Sequence, residues 1–597
     1  MNTAETWPNL VTMFFDQAER RGDGPFLWRK VDGAWRSISW REAAQTVADL
    51  AAALQAIGIE RGDRVMLVSE NRPEWCLADL GIMAAGAVTV PTYTTNTERD
   101  HLHILENSGA KAVIVSTAKL ARTLLPAVYR STGCQQVIGI EPLRIGQDTG
   151  AHIYQWENLL AEHKGDVAAT RAAATQTRGD LACIIYTSGT GGAPRGVRQH
   201  HGAILHNVAG CIDVIENDFP KSESEVFLSF LPLSHAYEHT GGQFFPIGIG
   251  GQIYYAENLD KLASNIEESR PTIMVVVPRL FEVLRTRMSK AIEKQGGLAP
   301  KLLAQALRLG AKSYRDGRLP LWERPLDLAL NATLRKKVQG RLGGRLKAMV
   351  AGGAPLDPEV GLFFHSLGVT LLQGYGQTEA APVISCNRPR AGIRMHTVGP
   401  PLKNTEVRIA EDGEILVRGE LVMHGYWQNE AETAKALQNG WLHTGDIGHI
   451  DDAGHIVITD RKKDIIVNDK GDNVAPARIE GMLTLQPEIL QAMVYGDRRP
   501  HLVGVVVPDP EWAVEWAHAQ GLPADAAALK GNAEFARAVM AAVDRVNSQV
   551  STVEKVRRVI LADEPFTVEN EQMTPKMSIR RHIIRKVYGM RLDALYG

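Results

Sequence analysis

Residues 181–197 read Leu181-Ala182-Cys183-Ile184-Ile185-Tyr186 and then Thr187-Ser188-Gly189-Thr190-Gly191-Gly192-Ala193-Pro194-Arg195-Gly196-Val197. An apolar run of strand length followed at once by a Gly-, Ser- and Thr-rich loop is the pattern of a buried strand whose end carries the chemistry in α/β proteins. Three small hydroxyls among glycines allow backbone N–H groups and side chains to converge on phosphate oxygens, with Arg195 adding positive charge. Read alone, the segment is either a phosphate cradle or an ordinary loop. It is not a Walker A loop, because Gly-Lys-Ser/Thr occurs nowhere, and no complete GxGxxG supports a dinucleotide fold.

The same grammar extends outward. Arg64 to Ser69 reads as a strand and Glu74 to Ala85 as the helix after it; Ala112 to Val115, Ile273 to Val277 and Leu346 to Val350 are further apolar runs, each followed by a polar or Gly-rich loop. Such alternation predicts parallel sheets covered by helices. Between about 289 and 345 the texture changes to Ala, Leu, Lys and Arg at helical spacing, a helical insertion. After about Thr405 turn signals crowd together at 411–414, 451–454 and 468–471, as in antiparallel hairpins. The charged cluster Asp460-Arg461-Lys462-Lys463-Asp464 marks the boundary expected between a large unit, 1–459, and a small α+β unit, 460–597.

At 597 residues the chain exceeds what one core absorbs, and 44% hydrophobic with 22% charged residues excludes a disordered or fibrous protein. Lys and Arg number 66 against 68 Asp and Glu, which gives no overall field for nucleic acid. Five scattered cysteines without a CxxC argue against a disulfide framework or structural zinc. The amino-terminal residues lack the pattern of a secretory signal. The expected setting is cytoplasmic, with peripheral contact at the inner membrane left open.

Further motifs carry parts of a nucleotide site. In Gln373-Gly374-Tyr375-Gly376-Gln377-Thr378-Glu379 an aromatic between glycines can lie against a base, a Thr can donate to phosphate, and a carboxylate can hold Mg²⁺. Ala351-Gly352-Gly353-Ala354-Pro355 precedes Asp357-Pro358, the cap and first position of a helix ending before Gly368. Tight-turn geometry alone explains Gly352 and Gly353 equally well. In His443-Thr444-Gly445-Asp446 a carboxylate is placed to accept from a ribose diol, although Gly-Asp is also a common turn pair. His235-Ala236-Tyr237-Glu238-His239 matches the inverted zinc-protease pattern, a reading that leaves the nucleotide motifs unexplained. The Arg580-Arg581-His582 and Arg585-Lys586 run reads as a solvated helix face rather than a lipid contact.

Together, YTSGTGGAPRGV, LPLSHAYE, AGGAPL, GYGQTE, TGD and DRKKDIIV, in that order from 186 to 467, resemble the ordered motif set of the adenylate-forming superfamily. Val277-Pro278-Arg279-Leu280-Phe281-Glu282, the helical insertion and Pro91 to Thr97 resemble its long-chain acyl-CoA synthetase branch. The resemblance implies an α/β fold: a large N-terminal domain of helix-covered sheets with a small barrel-like subdomain, and a small mobile α+β C-terminal domain. It implies ATP-dependent ligation of a fatty acid to coenzyme A through an acyl adenylate, with Mg²⁺. Thr187, Ser188, Gly189, Thr190, Gly191, Gly192 and Arg195 would hold the ATP phosphates, with Thr187 and Glu379 on Mg²⁺. Thr190 and Glu379 would be catalytic. Gly353, Gln373, Gly374 and Tyr375 would surround adenine, Thr378 would meet phosphate, and Asp446 and Arg461 would take the ribose hydroxyls. Lys463 would be the hinge, and His235 and Tyr237 would lie at the carboxylate end of the acyl pocket.

The chain departs from that pattern near its end. Where the family runs roughly T-P-T-L-K-x-K/R-R, residues 574–581 read Thr-Pro-Lys-Met-Ser-Ile-Arg-Arg, so Ser578 stands in place of the catalytic lysine and Lys576 precedes it by two. Either Lys576 takes over that role or the chain is an impaired relative that only binds acyl and ATP groups. An acyl-AMP ligase that loads a carrier protein is the other alternative. Oligomeric state stays open, a homodimer included.

Overall fold

The computed structural model describes residues 5–143, 150–187, 194–462, 464–470, 472–523, 525, 529–573 and 579–597. Among them, one sheet runs in the order His152–Gln155, Gln136–Gly139, Ala110–Val115, Arg64–Val68, Val88–Pro91, Leu181–Thr187 and Arg195–His200. Its pairings are parallel except the last, where Leu181–Thr187 and Arg195–His200 form an antiparallel pair that places Thr187 opposite Arg195. The second sheet runs Val383–Cys386, Leu371–Gly376, Ala348–Ala351, Ile273–Val276, Val226–Ser229, Gln252–Tyr255, Pro25–Val31 and Ala34–Ser39, parallel through its middle. Both carry helices, as the alternation predicts. Strand residues 65–68 and 112–115 are buried on both faces, which is why these runs are continuously apolar rather than alternating.

The expected helix after Arg64–Val68 is Pro73–Ala84, with Pro at its first turn, and the helix expected after Asp357 is Pro358–Ser366, capped by the Asp357 carboxylate on the Glu359 N–H. The expected insertion is helical: Pro278–Gln295, Ala299–Asp316, Arg324–Leu330 and Lys336–Arg341. It is tied to the second sheet's helix Pro358–Ser366, where Gly310 lies so close to Ser366 that a Cβ would stand 2.3 Å from its hydroxyl. Arg335 also donates to the Ser366 carbonyl.

The hairpin-rich stretch forms an antiparallel sheet of Glu406–Ile409, Glu414–Arg418, Trp441–Ile450 and Leu437–Gln438, with Ile456–Arg461 paired to Trp441–Ile450. Beyond it, Ile489–Tyr495, Leu502–Pro508 and Val556–Leu561 make a three-stranded sheet flanked by the helices Pro476–Thr484, Ala533–Asn547 and Arg581–Asp593. This C-terminal unit has its own apolar clusters, one around Ile479, Phe535 and Val543 and one around Val505, Ile584 and Tyr588. A large N-terminal domain and a smaller C-terminal domain therefore each bury a core.

The five cysteines are free, and burial raises the thiol pKa of all five, with Cys134 and Cys211 pushed up to about 12. No described helix is long and apolar enough to cross a membrane.

Candidate active site

The strand ends of the second sheet, the antiparallel sheet and the C-terminal domain together enclose an open cavity of about 1140 Å³. Its wall includes Thr187, Arg195, His235, Tyr237, Gly353, Gly374, Tyr375, Thr378, Glu379, Asp446 and Arg461, so residues quoted from six separate motifs meet at one place. Gln373 sits in the same strand, its carbonyl accepting the Asn387 N–H at 2.8 Å. Ser188, Gly189, Thr190, Gly191 and Gly192, the proposed hinge Lys463, and Lys576 and Ser578 lie outside the described residues.

Asp446 is not in a loop, as the motif alone suggests, but inside the strand Trp441–Ile450, where Gly445 takes φ +71°. Across the ladder it opposes Arg461, and the guanidinium Nε lies 3.4 Å from its carboxylate. The Tyr375 hydroxyl donates to the other oxygen at 2.7 Å. Burial, then the neighbouring Asp446 charge, drives the Tyr375 phenol pKa far up, so this hydroxyl stays a donor. Beneath, Glu414 accepts from the Gly445 N–H at 2.8 Å and from Lys462 at 3.0 Å, and contacts His443 at 3.1 Å. Although burial opposes it, these partners hold the Glu414 carboxyl below its ordinary value. A buried, charged brace thus fixes the turn that aims Asp446.

Thr378 and Glu379 form a one-turn 3₁₀ helix after strand Leu371–Gly376. Gly376 cannot carry a side chain, since a Cβ would lie 1.9 Å from the Pro382 carbonyl oxygen. The buried Thr378 has its carbonyl bound by Gln199, reaching over from the strand that follows the Gly-rich loop. Glu379 accepts from the Tyr426 hydroxyl at 2.8 Å, and its own carbonyl takes the Met423 N–H. Residues 424–427 run antiparallel to Arg195–His200, with Val197 opposite Tyr426 and the Trp427 N–H on the Gly196 carbonyl at 2.7 Å. Tyr426 and Glu432, which line the cavity, and Gln199, which supports Thr378 from beneath it, are thus residues that the motifs do not reveal. The only sequence signal is an aromatic after a glycine, Gly425-Tyr426, which is too common to stand alone.

Arg195 departs from a simple phosphate donor. Its guanidinium pairs with Glu432 at 2.6 Å and stacks 4.6 Å above the Tyr426 ring, leaving its buried Nε without a hydrogen-bond partner among the described residues. Glu432 is also held by Lys435 at 2.7 Å. The charge faces the cavity as part of a three-residue clamp.

Also lining the cavity, the His235 Nδ1 accepts from the Tyr237 N–H at 3.1 Å, which makes Nδ1 the unprotonated nitrogen. Tyr237 donates to the Val350 carbonyl at 2.8 Å and packs over Gly352, where a Cβ would come within 2.9 Å of its ring. Gly353 follows with φ +82°, so both glycines have turn and packing reasons to be glycine. The zinc-protease pattern is not assembled: Glu238 is buried, and His239, fully buried, bonds Asp79 at 2.8 Å. Burial pushes the Glu238 carboxyl up to about 8. Among the described residues no three His, Cys, Asp or Glu side chains gather as metal ligands. The basic run is only partly a solvated face, because Arg581 is mostly buried in a pair with Glu480, while Arg580 and Arg585 line the cavity.

With this geometry in place, the AMP-binding enzyme family matches residues 14–427, and the AMP-binding enzyme C-terminal domain matches 463–597. The chain belongs to the AMP-binding enzymes. This AMP-binding enzyme is 31% identical to a long-chain-fatty-acid–CoA ligase of Mycobacterium tuberculosis, over 99% of this chain and 97% of that protein. It is 30% identical to the peroxisomal long chain acyl-CoA synthetase 7 of Arabidopsis thaliana, over 99% and 87%. Its fold matches the adenylation domain of a carboxylate reductase from Mycobacterium chelonae, with a TM-score of 0.74 at 23% identity over 100% of this chain and 92% of that one.

Proposed function

We propose that this AMP-binding enzyme is an ATP-dependent long-chain fatty acid:CoA ligase. The observation that carries the reading is the convergence on one interdomain cavity of a braced carboxylate, Asp446 with Tyr375 and Arg461, and a second carboxylate, Glu379, beside Thr378 and Thr187. That set matches the polar inventory of a nucleoside triphosphate, with a diol for Asp446 and Arg461 and anionic oxygens for the Thr187 and Thr378 hydroxyls. Gly374, Tyr375 and Gly353 form the wall on which a base would lie.

In the first half-reaction a fatty acid carboxylate oxygen attacks the α-phosphorus, the bond to pyrophosphate breaks, and an acyl adenylate forms. In the second, the CoA thiolate attacks the acyl carbon and AMP leaves. No enzyme nucleophile is needed, and the protein's share is positioning and electrostatic stabilisation. Glu379 and Thr187 offer the hard oxygen donors that suit Mg²⁺, which usually keeps one or two protein oxygens and takes the rest from phosphates and water. There it would neutralise charge on the phosphate oxygens. The Tyr426 hydroxyl orients the Glu379 carboxylate from behind.

The domain boundary is proposed at 459/460, within the last strand of the antiparallel sheet, Ile456–Arg461, beyond which the C-terminal unit begins. His235 and Tyr237, which line the same cavity as Glu379, are proposed to meet the acid's carboxylate, and free cysteines support a reducing, cytoplasmic setting. The test is pyrophosphate release that requires both ATP and palmitate. Release with ATP alone, or none with any fatty acid, would overturn the reading.

A further inference from the structure

We infer that the helical segment 289–345 carries a docking surface for an anionic phospholipid bilayer. In the turn and helix after Pro320, Leu321, Trp322 and Leu328 are 73%, 80% and 66% exposed, with Leu326 also exposed. Scattered exposed apolar residues are ordinary, but here four fall within eight positions. Leu319 and Leu330, on either side, are buried in the apolar cluster beneath, so the stretch is pinned at both ends and presents its apolar side chains outward.

The charge around it has one sign. Residues 289–345 hold thirteen Lys and Arg against four Asp and Glu, whereas the whole chain is close to balanced. The carboxylates nearest the turn are taken up from within. Glu323, mostly buried, receives both Arg308 and Lys312, and Asp327 pairs with the buried Arg335. The exposed Arg315, Arg318, Arg324, Lys336 and Lys337 have no carboxylate partner among the described residues. Trp and Leu that can enter the headgroup region, ringed by cations that can reach lipid phosphates, are complementary to an anionic bilayer. A nucleic acid would use the cations but leave the Leu and Trp side chains unexplained.

This surface lies on the insertion, away from the residues of the proposed nucleotide site, and does not depend on the ligase reading. The test is co-sedimentation of the full chain with vesicles of phosphatidylglycerol mixed with phosphatidylcholine, against vesicles of phosphatidylcholine alone. The expected result is binding to the anionic vesicles that high salt abolishes. The double variant Leu321→Ser/Trp322→Ser and the triple variant Arg315→Glu/Arg318→Glu/Arg324→Glu should each lower the bound fraction at least about tenfold. Circular dichroism and pyrophosphate release with a soluble medium-chain acid should remain at wild-type levels in both, which separates lost docking from lost folding. The proposal is overturned if wild type ignores anionic vesicles, if it binds phosphatidylcholine equally, or if the variants bind like wild type. Concentration-dependent self-association that the Leu321→Ser/Trp322→Ser pair removes, without vesicle binding, would overturn it too. An enzyme inactive in every assay would defeat the ligase reading and leave the vesicle result standing.

Discussion

Asp446 is the residue on which nucleotide recognition turns. Its carboxylate is held by a phenol on one side and a guanidinium on the other, and its turn is held by Glu414. Replacement by Ala should weaken ATP binding about ten- to a hundredfold, the roughly 1.5 to 3 kcal/mol of a charged hydrogen bond, with fatty acid binding much less affected. Isothermal titration with each ligand checks this, and equal losses would mean a structural turn instead. Glu379→Ala should nearly abolish pyrophosphate release while thermal unfolding stays close to wild type, because its side chain is half-buried at a cavity wall rather than in the core. Tyr375, Thr378 and Glu379 are legible in sequence because five consecutive residues carry three distinct chemistries. The pairing of Asp446 with Arg461 is not, because the two are fifteen residues apart and meet only through the register of their two strands, which shifts at Ile447/Gly448. The Arg195–Glu432 clamp is still less so, since its partners are 237 residues apart and each alone reads as a surface charge.

Elements differ in the same way. Strands buried on both faces announce themselves as unbroken apolar runs, and the Pro358–Ser366 helix as Asp-Pro followed by an apolar stretch, so local chemistry alone places them. Residues 236–249 resist such reading. Three residues of α-helix pass into a π-helix, His239–Phe244, through a cluster of buried polar groups whose packing is set by distant chain. There Glu238 lies against Gly242 with its Oε2 lacking a hydrogen-bond partner among the described residues. Burial raises its pKa from the ordinary 4.5 to about 8, so the folded state binds a proton that the unfolded state releases above about pH 4.5. Below that pH the group costs nothing; stability falls progressively as pH rises from about 4.5 through 8, by up to about 5 kcal/mol. Glu238→Gln should therefore raise the melting temperature most near pH 8 to 9 and little at pH 4. A stability gain that does not vary with pH would contradict the burial argument.

At the scale of the whole molecule the proposed reaction needs two chemistries from one cavity, and the C-terminal domain forms part of its wall through Tyr495, Arg580 and Arg585. Arg581 seats that domain's last α-helix on Glu480, which also accepts from the Val494 N–H, so the helix is tied to the cavity-lining strand through one carboxylate. In a family whose pattern places a lysine where Ser578 stands, Lys576 is the residue expected to supply that charge. Lys576→Ala should slow acyl adenylate formation by orders of magnitude while sparing thioester formation from preformed acyl-AMP. A silent Lys576→Ala, together with a large gain from Ser578→Lys, would mark the chain as impaired. The helical segment and the hairpin-rich stretch are visible in sequence because composition changes at about 289, 345 and 405; the cavity is not, because nothing local encodes it.

The central claim is tested by incubating the purified chain with palmitate, ATP, Mg²⁺ and CoA and following AMP, pyrophosphate and palmitoyl-CoA together by mass spectrometry. The expected result is all three products in equal amounts, with palmitoyl-AMP accumulating only when CoA is withheld. Palmitoyl-AMP that persists in the presence of CoA, or the absence of AMP under every condition, would contradict it.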